Sequence, residues 1–252
     1  MDYNALLPII FYLCACFYSF FGIYTLATNA KSRTNWQFFF LMISLTIWSF
    51  TYAMAYSVDS AETRIMWKSL GVFGWSLFYA FFLRFAIILT KRNEPSKKPF
   101  LQVLFYLPAL ITIILFGPFG FLMGMQYEFV PGETGLFQAI INNIGQIWVG
   151  LYPSAYTIIS LVILIRWRRT IDRESPLRRL LSIFLISIIL PFIIGIFLGV
   201  FPRFFGLENL PRLTVAFLIP PAVLLFIALR KFGMVFETKT RRDFSPLDPK
   251  TT

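Results

Sequence analysis

The sequence predicts an all-α membrane protein, a bundle of seven transmembrane helices, and leaves room for a small extracellular β-hairpin between helices 4 and 5. Three observations predict this fold. Hydrophobic residues make up 58% of the chain and charged residues 14%, whereas a soluble domain carries about 25% charged residues. The apolar residues lie in long runs, and a helix needs about 20 of them to cross a bilayer core. Basic residues are concentrated between alternate runs.

Seven apolar runs are long enough to cross a bilayer as helices. They cover residues 5–27, 36–56, 66–90, 100–121, 139–167, 177–201 and 213–232. The first run is interpreted as a transmembrane span, because no basic segment precedes it and it is longer than the core of a signal peptide. Asp59 or Ser60 is expected to cap the third helix, which then begins above the membrane.

The distribution of basic residues predicts the orientation. Of the 23 Lys and Arg residues, 18 lie in the segments between spans 1 and 2, 3 and 4, and 5 and 6 or at the span ends that border these segments, or at the end of span 7 and after it. The positive-inside rule therefore places the N-terminus outside and the C-terminus in the cytoplasm. The net charge of +11 is explained by this cytoplasmic collar, which suits anionic lipid head groups. No nucleic-acid partner is predicted, because no nucleic-acid-binding motif accompanies the charge.

The domain organisation is expected to be simple. Residues 1–236 form one sensor-like transmembrane domain, and residues 237–252 form a short, basic, disordered cytoplasmic tail. The longest outer segment, residues 122–138, contains a β-prone run at 126–130, followed by turn-forming residues from Pro131 to Gly135. This pattern is interpreted either as a small β-hairpin or ordered loop over the outer mouth, or as a mobile loop.

The chain offers little for catalysis. It contains no histidine, which excludes the usual Ser-His-Asp and Cys-His nucleophile pairs and imidazole metal ligands. The predicted spans also contain no clearly embedded Asp or Glu, although intramembrane proteases and proton-coupled transporters normally need buried carboxylates. We therefore predict no catalytic residue, no metal site, no cofactor and no enzymatic activity.

Arg84 is the most deeply placed charge in the predicted spans. It lies six residues before Thr90, at the end of the third span. A long cationic side chain near a helix end can extend to the head groups, a behaviour known as snorkelling. The alternative hypothesis is that Arg84 forms a structural pair or acts as a switch.

A polar cluster occupies the outer half of the fifth span. It contains Asn142, Asn143 and Gln146, with Trp148 nearby and Tyr152 about one turn deeper. Asn142 and Gln146 share a helix face, because residues four apart are neighbours on a helix. The cluster is interpreted either as the wall of a ligand pocket open to the outside, or as a set of interhelical hydrogen bonds and head-group contacts.

Several motifs along the chain follow a known pattern of basic and aromatic residues. They are Lys31, Arg33 and Trp36 at the start of span 2, the stretch Trp-Ser-Phe-Thr-Tyr at 48–52, Met66-Trp67-Lys68, the aromatic run at 78–85 closing in Thr90-Lys91-Arg92, and the end of the last span at 226–232. With these motifs, residues 6–236 resemble the seven-transmembrane N-terminal sensor region of bacterial histidine kinases. Without a histidine, the chain is not expected to be a histidine kinase by itself.

The resemblance implies a receptor-like sensor module of a bacterial inner membrane. Such a module would detect a small molecule, a lipid or a membrane state on its outer half. It implies as partners membrane lipids, a second copy of the chain, and a cytoplasmic kinase or cyclase that contacts the C-terminal tail and the loop from Arg166 to Arg179. The alternative hypothesis is a transporter or lipid-handling membrane protein.

Overall fold

The structure is a computed structural model that describes residues 3–90, 99–125, 127–131, 137–141, 143–200 and 213–242. These residues form nine helices and two strands. In chain order they are α1 (Tyr3–Thr28), α2 (Arg33–Ser57), α3 (Ala61–Leu89), α4 (Pro99–Phe116), α5 (Pro118–Leu122), β1 (Tyr127–Pro131), β2 (Phe137–Ile141), α6 (Asn143–Thr170), α7 (Pro176–Val200), α8 (Thr214–Phe217) and α9 (Ile219–Arg242).

Six segments within the described residues are long and apolar enough to cross a membrane. They are Leu6–Thr28, Arg33–Ser57, Ala61–Leu89, Phe105–Leu122, Ile147–Thr170 and Thr214–Lys231. Helix α7, which covers the sixth predicted run, is 25 residues long but is not one of these six. The chain is therefore a helical, multi-pass membrane protein.

Serine caps start two of the spans. The Ser60 hydroxyl accepts a hydrogen bond of 3.4 Å from the Thr63 amide, and α3 begins at Ala61, five residues before its apolar run. Ser32 caps α2 in the same way, through the Asn35 amide at 3.4 Å. A hydroxyl at this position satisfies an amide that has no partner inside the helix. The predicted early start of the third helix is confirmed.

The fourth predicted run, residues 100–121, is not one continuous helix. It is divided into α4 and α5 at Gly117, whose backbone is extended. Pro118 explains the division, because proline has no amide hydrogen and disfavours a helical conformation in the residue before it. Pro118 then starts α5 at its first turn, where the missing amide costs nothing.

Two short strands lie between α5 and α6. Strands β1 and β2 pair antiparallel, with Tyr127 opposite Ile141 and Pro131 opposite Phe137. The prediction that the fifth span begins at residue 139 was wrong, because residues 139–141 belong to β2 and the helix begins at Asn143. Two consecutive isoleucines favour a strand, and pairing satisfies the backbone groups of this segment. Residues 132–136, which connect the strands, lie outside the described residues.

The last span is broken near its start, and its helix ends later than expected. Helix α8 ends at Phe217, and α9 restarts at Ile219, next to Pro220 and Pro221. Two consecutive residues without an amide hydrogen account for this break. At the other end, α9 continues to Arg242, so residues 237–242 are helical rather than part of a disordered tail. This segment contains no Pro or Gly to stop the helix.

Helix α3 lies at the centre of the bundle. It packs along α2 and also contacts α4 and α6, while α9 contacts α7 and α1. Small residues bring α2 and α3 close together: a Cβ atom added to Gly74 would lie 2.7 Å from the Ser44 carbonyl oxygen. Such close backbone approach is a common basis of helix association in membranes. The core contains fully buried aromatic side chains, including Phe11, Tyr18, Phe38, Phe82 and Phe85.

Candidate functional site

Two residues of the predicted polar cluster lie on one face of α6. Trp148 and Tyr152 are four residues apart, and Tyr156, which the sequence analysis did not single out, continues the same face. We call these three side chains the α6 ladder. Asn142 lies outside the described residues, as do the side chains of Asn143 and Gln146, whose helical positions are in the first turn of α6.

Each member of the α6 ladder donates a hydrogen bond to another helix. The Trp148 indole donates to the Thr112 hydroxyl at 2.9 Å, the Tyr152 hydroxyl donates to the Ser76 carbonyl at 2.7 Å, and the Tyr156 hydroxyl donates to the carbonyl of Phe105 at 2.8 Å. Buried Trp and Tyr donors need such partners, and the need is greater where no water is present. The α6 ladder therefore connects α6 to α4 through Trp148 and Tyr156, and to α3 through Tyr152.

The α6 ladder contacts the part of α4 that contains Pro108. The Thr112 hydroxyl, besides accepting from Trp148, donates to the Pro108 carbonyl at 2.7 Å. The Ser76 hydroxyl of α3 donates to the Ala109 carbonyl at 3.3 Å. Proline removes one backbone donor from its helix, and contacts with neighbouring helices help to hold such a segment in membranes. This segment of α4 is thus held from two sides, by α3 and α6.

Aromatic packing makes the ladder compact. The rings of Trp148 and Tyr152 stack at 6.4 Å between centroids, and Tyr152 and Tyr156 meet edge to face at 4.8 Å. Tyr79 of α3 adds a further edge contact to Tyr152 at 6.2 Å. Tyr152 is only 3% exposed, so its hydroxyl and ring are fully occupied by protein contacts in this arrangement. Trp148 is half-buried, so it is more accessible than Tyr152.

Arg84 lies between α3 and α4. Its Nη1 donates a hydrogen bond of 2.9 Å to the Tyr106 hydroxyl, and its guanidinium carbon lies 5.8 Å from the centre of the same ring. Both side chains are partly exposed on the outer surface of the bundle. Arg84 therefore has a neutral partner on α4 and remains accessible from outside the bundle.

The arginines from 166 to 179 are mostly helical. They were predicted to lie in a loop, but only Arg173 lies in the turn, because α6 extends to Thr170 and α7 begins at Pro176. The turn is braced: Arg168 Nε donates to the Ser182 hydroxyl at 2.6 Å, and Arg178 Nη1 donates to the Ile171 carbonyl at 3.1 Å. The remaining arginines of this segment are exposed, namely Arg166, Arg169, Arg173 and Arg179.

An apolar cavity of about 20 Å³ lies among α2, α3, α7 and the last span. It has room for about one water molecule and offers it no polar partner, so it is expected to stay empty of water. It is also far smaller than a typical small-molecule site of roughly 300 Å³ or more. Its lining includes Leu45, Phe82, Ile188, Pro221 and Leu225.

The amino-acid sequence matches a known family. Residues 10–236 match the family described as the N-terminal 7TM region of histidine kinase. The chain belongs to this family. No curated protein gives a match.

Membership in the histidine kinase 7TM family, together with the apolar helices, identifies the chain as a membrane sensor module. The predicted resemblance is thereby confirmed. The described residues contain no group of three or more His, Cys, Asp or Glu side chains that could hold a metal ion. Within the described residues, the candidate site consists of polar-aromatic contacts among α3, α4 and α6.

Three residues of this site were missed by the sequence analysis, namely Tyr156, Thr112 and Ser76. Tyr156 could have been found, because Trp148, Tyr152 and Tyr156 are spaced by four residues and must share a helix face. Thr112 could not, because a hydroxyl on an apolar helix usually bonds within its own helix. Ser76 could not either, because it accepts from Tyr152 through its backbone carbonyl, a group that every residue has. Only the packing of α3 and α4 against α6 shows that they accept hydrogen bonds from the ladder.

Proposed function

We propose that the protein is a receptor-like sensor of a bacterial inner membrane, which detects a small molecule, a lipid or a state of the bilayer on its outer half and signals to a cytoplasmic partner. One observation supports this above all. Helix α6 follows directly after β2, ends in the Arg-rich turn, and is joined to α3 and α4 by the α6 ladder. Its 28 residues extend over about 42 Å at 1.5 Å per residue.

The orientation follows from the same helix. We propose that the Arg-rich turn lies in the cytoplasm, in accordance with the positive-inside rule, and that the N-terminus and the two strands lie outside. Helix α7 is then the sixth crossing and the α8–α9 segment the seventh. In this arrangement β1 and β2 form the two arms of a hairpin over the outer mouth of the bundle.

The stimulus acts, in our proposal, on the outer end of α6. Asn142, Asn143 and Gln146 would contact a ligand first, with Trp148 and Tyr152 below them. A ligand that accepts a hydrogen bond from the Trp148 indole must displace Thr112, its partner in this structure. The bundle states with and without that bond then bind the ligand unequally, which any signalling ligand requires.

The output would leave through the exposed arginines at the end of α6 and the start of α7. A kinase or cyclase with an acidic surface would complement them electrostatically, and the basic C-terminal segment would add to the contact. A second copy of the chain is a further proposed partner. Because Arg168 and Arg178 brace the turn, a shift of α6 would move the exposed arginines together with it.

The experiment places a reporter on the turn. Cys14 and Cys16, the two cysteines of the chain, are replaced by Ala in the full-length protein, and Arg173→Cys carries an environment-sensitive fluorophore. The protein is reconstituted in phosphatidylcholine bilayers of increasing thickness. The ladder variants Trp148→Phe and Tyr152→Phe are compared with Tyr12→Phe, which removes a hydroxyl from the exposed contact with Met54.

We expect the ladder variants to change the fluorophore spectrum, and Tyr12→Phe to leave it unchanged. If the stimulus is the bilayer itself, the spectrum also changes with thickness in the parent protein and less in the ladder variants. A spectrum that is constant across both the variants and the bilayers would contradict the proposal. Protein-dependent movement of a labelled lipid across the same vesicles, with a constant spectrum, would favour the lipid-handling alternative.

A further inference from the structure

The positive charge of Arg84 lies at the surface of the bundle between α3 and α4. Among the residues that the structure describes, Arg84 contacts no carboxylate, and its hydrogen bond goes to the neutral hydroxyl of Tyr106 at 2.9 Å. Arginine keeps its charge in proteins, and a charge within a membrane normally has a partner that neutralises it. The described residues do not supply that partner, so the charge remains available to an external anion.

Tyr106 adds a donor at the same position. Its oxygen accepts the hydrogen bond from Arg84 Nη1, so its own hydroxyl proton is still available for donation. Two donors, one cationic and one neutral, therefore meet at a partly exposed point. A phosphate oxygen accepts from both kinds of group, and the planar guanidinium suits phosphate especially well.

The Arg84–Tyr106 pair lies at a depth in the membrane from which it can reach a lipid phosphate. Arg84 lies five residues before the end of α3 at Leu89, which is about 7.5 Å along the helix axis. Helices α3 and α6 are both antiparallel to α4, because residue numbers rise along each of them while those of their hydrogen-bonded partners on α4 fall. This end of α3 therefore lies on the same side of the membrane as the Arg-rich turn. The guanidinium can therefore reach the head groups of the leaflet that faces the arginines.

The surface beside the pair suits an acyl chain. Helix α4 exposes large apolar side chains at i, i+4, i+7 and i+11, namely Val103, Leu107, Leu110 and Ile114. Leu107, Leu110 and Ile114 continue from Tyr106 away from the Arg-rich end, towards the middle of the membrane, while Val103 lies about one turn nearer the Arg-rich end. Phe81 borders the pair on α3, 5.8 Å from the ring of Tyr106.

We propose that the Arg84–Tyr106 pair binds the phosphate of an anionic phospholipid in the leaflet at the Arg-rich end, with an acyl chain along the exposed stripe of α4. The site does not depend on the sensor function. It differs from general attraction to basic residues, because a neutral tyrosine donor on a second helix takes part.

The test measures lipid binding to the purified full-length chain in a neutral detergent. Phosphatidylglycerol, phosphatidylcholine and inorganic phosphate are each titrated, and bound lipid is counted by native mass spectrometry. We expect Arg84→Gln to weaken phosphatidylglycerol binding by about tenfold and Tyr106→Phe by about threefold, since hydrogen bonds to ionised groups are the stronger ones. Arg166→Gln, which removes an exposed arginine at the end of α6, should bind like the parent.

Three results would overturn the proposal. One is unchanged phosphatidylglycerol binding in both Arg84→Gln and Tyr106→Phe. Another is an equal loss in Arg166→Gln, which would indicate attraction to net charge alone. The third is that inorganic phosphate competes as well as the lipid at the same concentration, which would indicate a site for a soluble anion. If Arg84→Gln fails to fold, Arg84→Lys and Tyr106→Phe are compared with the parent instead. Arg84→Lys should bind phosphatidylglycerol with intermediate affinity, because it keeps the charge but loses the planar guanidinium.

Discussion

The hydroxyl of Tyr18 in α1 donates a hydrogen bond of 2.6 Å to the main-chain carbonyl of Val215 in α8. The two residues are 197 positions apart in the chain, and the bond joins the first and last spans. It is located just before the break at Leu218, where Pro220 and Pro221 prevent normal helical hydrogen bonds. Tyr18 therefore holds the broken end of the last span against the rest of the bundle.

Replacing Tyr18 by Phe is expected to destabilise the protein by about 0.5–2 kcal/mol, because the ring remains while the buried Val215 carbonyl loses its short hydrogen bond. The matched control is Tyr12→Phe in the same helix, whose hydroxyl contacts only the sulfur of Met54 at an exposed position. The measurement is thermal unfolding of the purified protein in detergent. Equal melting temperatures for the two variants would contradict this role of Tyr18.

Gly74 determines how closely α2 and α3 approach each other. A Cβ atom at this position would lie 2.7 Å from the Ser44 carbonyl oxygen and 2.8 Å from the Cα of Trp48. These are backbone atoms, so no side-chain rotation can make room for it. We expect Gly74→Ala to separate the two helices and to cost about 1–3 kcal/mol, the usual range for overpacking a core.

Gly150 provides the control for this substitution. It lies within α6, and a Cβ atom there meets nothing within 4 Å. Gly150→Ala should be neutral or stabilising by up to about 1 kcal/mol, because alanine is the better helix former. The stability of both variants is measured by urea or thermal denaturation. A Gly74→Ala protein as stable as Gly150→Ala would show that α2 and α3 can separate freely.

Much of the fold could be predicted from the sequence, because the bilayer imposes a simple requirement on each span. Apolar length locates a helix, and a hydroxyl before it, such as Ser60, locates its start. Charge asymmetry then predicts an orientation without knowledge of any contact. The exceptions occur where a local preference competes with hydropathy: Ile140 and Ile141 are apolar enough for a span, yet they pair as a strand.

The candidate site was less predictable, since it depends on which helices are neighbours. Arg84 and Tyr106 are 22 residues apart and lie in different helices, and the sequence alone does not indicate that they meet. The same holds for Tyr152 and Ser76, where the acceptor is a backbone carbonyl that every residue possesses. Side chains on one helix can be grouped by spacing, but their partners across the bundle require the packing itself.

The apolar cavity allows a test of packing within the core. Leu45 lines it and is 2% exposed, so Leu45→Ala enlarges an existing void and should cost about 2–5 kcal/mol. Leu151→Ala removes the same atoms from a side chain that is 62% exposed. That change should cost little, because a lipid-facing side chain exchanges protein contacts for equally apolar lipid. The melting temperatures of both variants are measured in a lipid nanodisc. Equal values for Leu45→Ala and Leu151→Ala would contradict this difference between a core and a lipid-facing leucine.

The orientation of α6 can be determined by labelling from each side of the membrane. In a Cys14→Ala, Cys16→Ala background, Met123→Cys and Arg173→Cys introduce exposed cysteines before and after α6. The positive-inside rule predicts that an impermeant maleimide labels Met123→Cys in intact bacterial cells, and Arg173→Cys only after permeabilisation. The reverse pattern would invert the proposed topology, and labelling of both in intact cells would show that α6 does not cross.

A cysteine at the end of the chain extends this test to the remaining crossings. Helix α7 and the last span lie between Arg173 and Thr252, so Thr252→Cys should share the side of Arg173→Cys if both segments cross. We expect both to be labelled only after permeabilisation. Labelling of Thr252→Cys in intact cells would mean that one of the two segments does not cross. Thr214–Lys231 is long and apolar enough to span, so in that case α7 would be the segment that does not cross. The bundle would then have six crossings.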